Sequence, residues 1–128
     1  MPVALKRILA GALLLMGLVM GLAGLAPPAG AAELVMYRRA GCPWCQAFDE
    51  AIGPVYPKTD LGRRLPLRAV DLDRDPPLPV TLERPVHFTP TFVVVEDGRE
   101  IGRIEGYPGE DFFWGLLDKL ARGLPPRS

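Results

Sequence analysis

The run Glu33-Leu34-Val35-Met36-Tyr37-Arg38-Arg39-Ala40-Gly41-Cys42-Pro43-Trp44-Cys45 decides the fold. In it a β-favouring segment is broken by Ala40-Gly41 and followed at once by two cysteines and a helix start. Pro43 suits the first helical turn, where its missing N–H costs nothing. Phe48, Ile52 and Val55 continue an apolar face from Cys45, and Gly53-Pro54 kinks or ends that helix, with Tyr56-Pro57 at its exit. The first sulfur therefore meets unpaired backbone N–H groups and the positive end of the helix dipole. That setting favours the thiolate and places its pKa below that of a free thiol. The second cysteine lies one turn further on, within reach of a mixed disulfide formed at the first. Cys42 reads as a nucleophile and Cys45 as its resolving thiol.

The chain has no other cysteine. A purely structural bridge across so short a gap removes little entropy from the unfolded chain, so redox chemistry is the better reason for the spacing. Upstream, Lys6 and Arg7 precede an uncharged apolar run from Ile8 to Ala26, then Pro27-Pro28 and the small residues Ala29-Gly30-Ala31-Ala32. This is a signal-peptide pattern with cleavage expected after Ala31, making 1–31 the signal segment and 32–128 one small folded domain. The same 19-residue run is long enough to cross a bilayer core of about 30 Å as an uncleaved anchor. Either way the folded part is expected in the periplasm or on the outer face of the membrane. Lys6 and Arg7 leave with the signal, and 13 basic side chains then stand against 15 acidic ones. Arginines interleave with acids, so no basic stripe for nucleic acid is present.

Residues 58–64 read as loop, and Leu65–Leu72 as a second strand whose alternation sets Leu65, Leu67, Ala69 and Asp71 on one face. Residues 73–88, with four prolines before Val86, read as loop. Thr91–Glu96 is a strong strand, and Asp97-Gly98 supplies hairpin chemistry before Arg99–Glu105 returns antiparallel. Beyond Gly106-Tyr107-Pro108-Gly109, the residues Phe112, Phe113, Leu116, Leu117 and Leu120 recur at helical spacing. Glu110 and Asp111 at the start and Lys119 and Arg122 at the end match the helix dipole. The order of strand, helix, strand, loop, hairpin and helix predicts an α/β domain with a mixed four-stranded sheet flanked by helices. That is a compact thioredoxin-like fold, of which Cys-x-x-Cys beside a strand–helix–strand unit is the redox signature.

Phe88-Thr89-Pro90-Thr91 is similar to the threonine-proline loop of the thioredoxin superfamily. The resemblance implies that Pro90 is cis and faces the dithiol. Thr89 and Pro90 would then offer an extended substrate segment main-chain groups to pair with. A longer set of residues narrows the family. Gly41-Cys42-Pro43-Trp44-Cys45 with Phe48-Asp49, Ile52-Gly53-Pro54, Tyr56, Thr59, Gly62-Arg63, Pro66-Leu67-Arg68 and Asp71 resembles the SoxS family of periplasmic thioredoxin-like proteins, associated with bacterial sulfur oxidation. Phe88–Phe92, Asp97–Glu100 and Gly102–Trp114 agree with it, the Gly106-Tyr107-Pro108-Gly109-Glu110-Asp111-Phe112-Phe113-Trp114 segment most specifically. The resemblance implies a thiol–disulfide reductase that keeps a cysteine-bearing carrier protein of the sulfur-oxidising complex reduced. No cofactor or metal is expected. Because an oxidising periplasm offers no bulk reductant, a membrane thiol donor is expected to recharge the dithiol.

Thioredoxins carry a buried aspartate six residues before the nucleophile, but here that position is Met36. Asp49, on the same helix face as Cys42 and Cys45, is the candidate substitute proton relay; its alternative is an ordinary exposed carboxylate. Arg38 and Arg39 are candidates to stabilise the thiolate, or plain surface charges. Pro43-Trp44 is similar to the Pro-Tyr of glutaredoxins and implies an intermediate potential. Trp44 reads as a contact platform for a partner chain, or as a side chain packed on its own domain. Two other functions stay open. One is a disulfide oxidase or isomerase. The other is a dithiol module binding copper or zinc, for which the chain offers only the lone His87 besides the two cysteines.

Overall fold

The computed structural model describes residues 31–125, so the expected signal segment lies outside the described residues except for Ala31. The elements run β1 (Ala32–Arg38), α1 (Pro43–Ala51), a 3-10 turn (Tyr56–Lys58), α2 (Asp60–Arg64), β2 (Leu67–Asp71), β3 (Thr91–Glu96), β4 (Arg99–Glu105) and α3 (Glu110–Arg122). The sheet order is β2-β1-β3-β4, with β1 parallel to β2 and antiparallel to β3, and β3 antiparallel to β4. A parallel pair requires a crossover, which α1 and α2 supply, while the hairpin closes the other side. This is the mixed α/β sheet that the order of elements predicted.

Alternation along β1 and β3 divides the apolar residues between two faces. On one, Leu34, Met36, Phe92, Val94 and Ile104 meet Phe48 and Ile52 at α1 and Phe113, Leu117 and Ala121 of α3. Phe48, Phe92 and Phe113 form an aromatic centre with ring centroids 4.8–5.2 Å apart. On the other face, Val35, Tyr37, Val70, Val93 and Val95 are covered by Leu72, just past β2, and by Leu78, Val80, Leu82 and Val86 of the proline-rich segment, where the sequence reading of loop holds.

Asp97 and Gly98 both have positive φ, 51° and 73°, the conformation of a two-residue hairpin turn. Further along, Val94 pairs with Gly102 but Val95 pairs with Glu100, leaving Ile101 as an extra residue. This bulge resets the alternation. Glu100 and Arg103, three apart in a strand, consequently lie on the same face as their partners Val95 and Val93 and form a buried ion pair. Glu100 Oε2 also accepts the Glu83 N–H at 2.7 Å, and Arg103 Nη2 donates to the Arg84 carbonyl at 2.7 Å. The pair thus pins the proline-rich segment to the sheet.

Four expectations are corrected. Residues 60–64 are helical, because Thr59 caps α2 by accepting the Gly62 N–H at 2.9 Å while donating to the Tyr56 carbonyl at 2.7 Å. In β2 the buried residue is Val70, and Ala69 is exposed, because this edge strand sends Leu67 to one cluster and Val70 to the other. Helix α1 ends at Ala51, leaving Val55 outside its apolar face and exposed. On α3 the buried stripe is Phe113, Leu117 and Ala121, so Phe112 and Leu116 point to solvent.

Candidate active site

Cys42 is the N-cap of α1, in extended conformation, and its Sγ accepts the Cys45 N–H at 3.2 Å. This sulfur occupies the position a serine or aspartate oxygen takes in ordinary caps, so a thiolate there receives a main-chain N–H and the positive end of the helix. The two cysteines are joined as a disulfide. Cys42 retains 8 % of its surface while Cys45 has none, so of the two cysteines Cys42 is the less enclosed. Met36, where thioredoxins place an acid, is 1 % exposed in the same cluster as both cysteines.

The β1–β3 register brings the second expected segment to the same end of the sheet. Tyr37 pairs with Thr91, so Pro90 precedes β3 where β1 is about to run into Cys42. The Thr89–Pro90 bond is cis, as the resemblance implied. Pro90 is buried, its carbonyl accepting the Gly106 N–H at 2.7 Å, and Thr89 is half-buried. Thr91 Oγ1 donates to the Phe88 carbonyl at 2.7 Å. Pro43 is exposed, and Trp44 is 62 % exposed, most of its surface left in water.

Asp49 is exposed and both its oxygens are held by Arg38, at 2.9 and 2.6 Å. The hydrogen bonds to Asp49 push the Arg38 guanidinium further above its usual range. Arg39 pairs with Asp73 at 3.2 Å, and His87 is exposed on the proline-rich segment. Among the described residues no three His, Cys, Asp or Glu side chains gather as a metal site.

Phe88, legible in the sequence only as part of a motif, is 61 % exposed beside the cis-proline turn. The signal was available: a large aromatic directly before Thr-Pro, outside any periodic element that would bury it. Tyr107 was also passed over as a turn residue. Its ring contacts Phe48 at 5.9 Å, under α1, and burial, followed by Glu110, raises its pKa.

A cysteine pair with one sulfur capping α1 and the other fully buried behind it, on this sheet, makes the chain a thioredoxin-like thiol–disulfide oxidoreductase. Among solved structures it is similar to the reduced form of the periplasmic thioredoxin SoxS from Paracoccus pantotrophus, at 47 % identity and a TM-score of 0.68, over 72 % of this chain and 97 % of that one. The chain belongs to the SoxS family of periplasmic thioredoxins. Fasciola hepatica thioredoxin (18 % identity, TM-score 0.53, 71 % of this chain and 82 % of that one) shares the fold. So does thioredoxin-2 of the malaria parasite (16 %, 0.54, 75 % and 89 %). No protein-family model and no curated protein matches the chain.

Proposed function

We propose that this protein is a periplasmic reductase of a cysteine-bearing carrier protein of bacterial sulfur oxidation. The observation that carries the direction of attack is the asymmetry of the pair, with Cys42 keeping 8 % of its surface while its Sγ accepts the Cys45 N–H, and Cys45 fully buried. In the dithiol state the Cys42 thiolate attacks one sulfur of the partner's disulfide. A Cys42–partner disulfide forms, and the partner's other sulfur leaves as a thiolate and takes a proton. Cys45, deprotonated, then attacks Cys42 Sγ, freeing the second partner thiol and closing the Cys42–Cys45 disulfide. Two electrons and two protons pass to the partner, and a membrane-borne dithiol donor restores them. Pro43, Trp44, Thr89 and Pro90 hold the partner segment during exchange.

Periplasmic location is supported by the Lys6–Ala31 pattern and by the periplasmic relative. The carrier as substrate rests on the family resemblance carried by Gly106–Trp114. Asp49 has two readings, a relay for the Cys45 proton or an ion-pair anchor. Its engagement by Arg38 favours the anchor.

A Cys45→Ser variant attacks but cannot resolve, and so retains its partners as mixed disulfides. Recovery of one sulfur-pathway carrier is the expected result. Recovery of many unrelated folding substrates would replace the reductase reading with that of an oxidase.

A further inference from the structure

We propose that Phe88 is a specificity-determining residue that, with Trp44, receives an extended, cysteine-bearing segment of a protein in preference to a low-molecular-weight disulfide. The inference deepens the reductase reading and rests on it.

Phe88 and Trp44 are 61 % and 62 % exposed, Phe88 directly before the cis Thr89–Pro90 bond and Trp44 in the first turn of α1 between the two cysteines. An aromatic side chain holds 150–250 Å² of surface to bury, so leaving both in water forgoes stability unless a partner covers them. The Phe88 backbone is fixed in place. Its carbonyl accepts the Thr91 hydroxyl at 2.7 Å, and upstream Arg103 donates to the carbonyls of Arg84 and Pro85 at 2.7 and 3.4 Å. A ring presented by an ordered backbone loses little further freedom on binding, which favours its use as an anchor.

The surroundings suit a chain better than a small disulfide. The two arginines at the end of β1 are already paired with Asp49 and Asp73, so they are not reserved for the carboxylates of a small charged thiol. What the site offers is two apolar platforms and a proline turn, over which an extended main chain can lie with its cysteine at Cys42.

The test compares reduction of insulin, a protein disulfide, with reduction of bis(2-hydroxyethyl) disulfide, a small aliphatic one, by the dithiothreitol-reduced protein. Phe88→Ala is expected to lower the insulin-to-small-disulfide ratio of kcat/KM about five- to tenfold, through KM for insulin. Phe88→Tyr should restore it, and the alkylation rate of Cys42 should stay within twofold. Val55→Ala, removing an exposed apolar side chain beyond the far end of α1, should leave the ratio unchanged. An unchanged ratio in Phe88→Ala, or an equal loss on both substrates, would overturn the assignment. A wild-type protein inert toward both would instead overturn the reductase reading, and this inference with it.

Discussion

Arg38 clamps Asp49 with two parallel bonds, Nη1 to Oδ1 at 2.9 Å and Nη2 to Oδ2 at 2.6 Å, tying the end of β1 to α1 one turn beyond Cys45. Residues four apart on a helix are neighbours, so the clamp neutralises a carboxylate beside Cys45. Arg38→Met leaves the anion alone, makes the thiolates less favourable relative to the disulfide, and lowers the reduction potential. Asp49→Asn leaves the cation alone and raises it. The two side chains are 27 % and 43 % exposed, so solvent screens both effects. Each shift is expected to be on the order of 10–20 mV, since such pairs contribute below about 1 kcal/mol and 30 mV corresponds to about 1.4 kcal/mol. Equilibration with glutathione measures both, and shifts of the same sign would refute the electrostatic account. A loss of about a hundredfold in turnover in Asp49→Asn, absent from Arg38→Met, would establish the relay.

The reduced protein should alkylate at one thiol per chain. Cys42 receives the Cys45 N–H and reaches the surface, so it should react with iodoacetamide well below pH 8.5, roughly the ordinary thiol value. Cys45, fully buried, should stay unmodified until the protein unfolds. Mass spectrometry after a short exposure distinguishes the two sites, and equal labelling would remove the basis for naming Cys42 the nucleophile. The Pro43-Trp44 dipeptide further predicts a potential between about −270 mV, as in thioredoxin, and about −120 mV, as in a strong oxidant.

The strands and the hairpin were legible because their residues alternate or carry turn chemistry locally: Thr91–Glu96, Asp97-Gly98 and Arg99–Glu105 stand where they were read. The dithiol and the threonine-proline loop were legible as motifs, and the β1–β3 register then places them together. Other features depended on partners far along the chain. Helix α3 carries a wider apolar stripe than the sheet can cover, and periodicity alone does not say whether Phe112 and Leu116 or Phe113 and Ala121 face inward. Helix α2 has five residues, too few for a hydrophobic period to register, and its only signal was the Thr59 cap. Glu100 and Arg103 gave no hint of pairing, because strand residues three apart normally face opposite ways and the bulge at Ile101 cannot be read from composition.

Gly62 should not tolerate a side chain. A Cβ there would collide with the Tyr56 carbonyl, the same atom that accepts the Thr59 hydroxyl, so Gly62→Ala must push α2 away from the 3-10 turn. The displaced turn carries Tyr56, whose hydroxyl donates to the Leu65 carbonyl at 2.7 Å and whose ring stacks on Trp114 at 5.8 Å. The expected cost is about 1–3 kcal/mol in urea unfolding, as for other overpacked sites. Tyr56→Phe, which removes only the hydroxyl and strands one buried carbonyl, should cost about 1–2 kcal/mol. A Gly62→Ala protein as stable as wild type would show that the turn and α2 move independently of the core.

The buried Glu100–Arg103 pair should set the acid limit of stability. Hydrogen bonding from Arg103, and then the Glu83 N–H, outweigh burial and hold the Glu100 carboxyl below its ordinary 4.5. A carboxyl lowered by folding contributes fully above its unfolded value, and that contribution is lost as pH falls through the folded one. Stability should therefore be level above about pH 5 and decline below 4.5, with the decline shallower in Glu100→Gln. Glu100→Ala leaves Arg103, whose side chain is 4 % exposed, without its main partner, and should cost about 3–5 kcal/mol near neutral pH. A double Glu100→Met and Arg103→Met variant should recover most of that loss, because no charge is left buried alone. It should not recover substrate binding to the same degree, since Glu83 and Arg84 lose the side chains that anchor the segment leading to Phe88. KM for insulin, measured beside the urea midpoint, separates these two consequences. A double variant with restored stability and an unchanged KM would mean that the cis-proline turn holds Phe88 in place by itself.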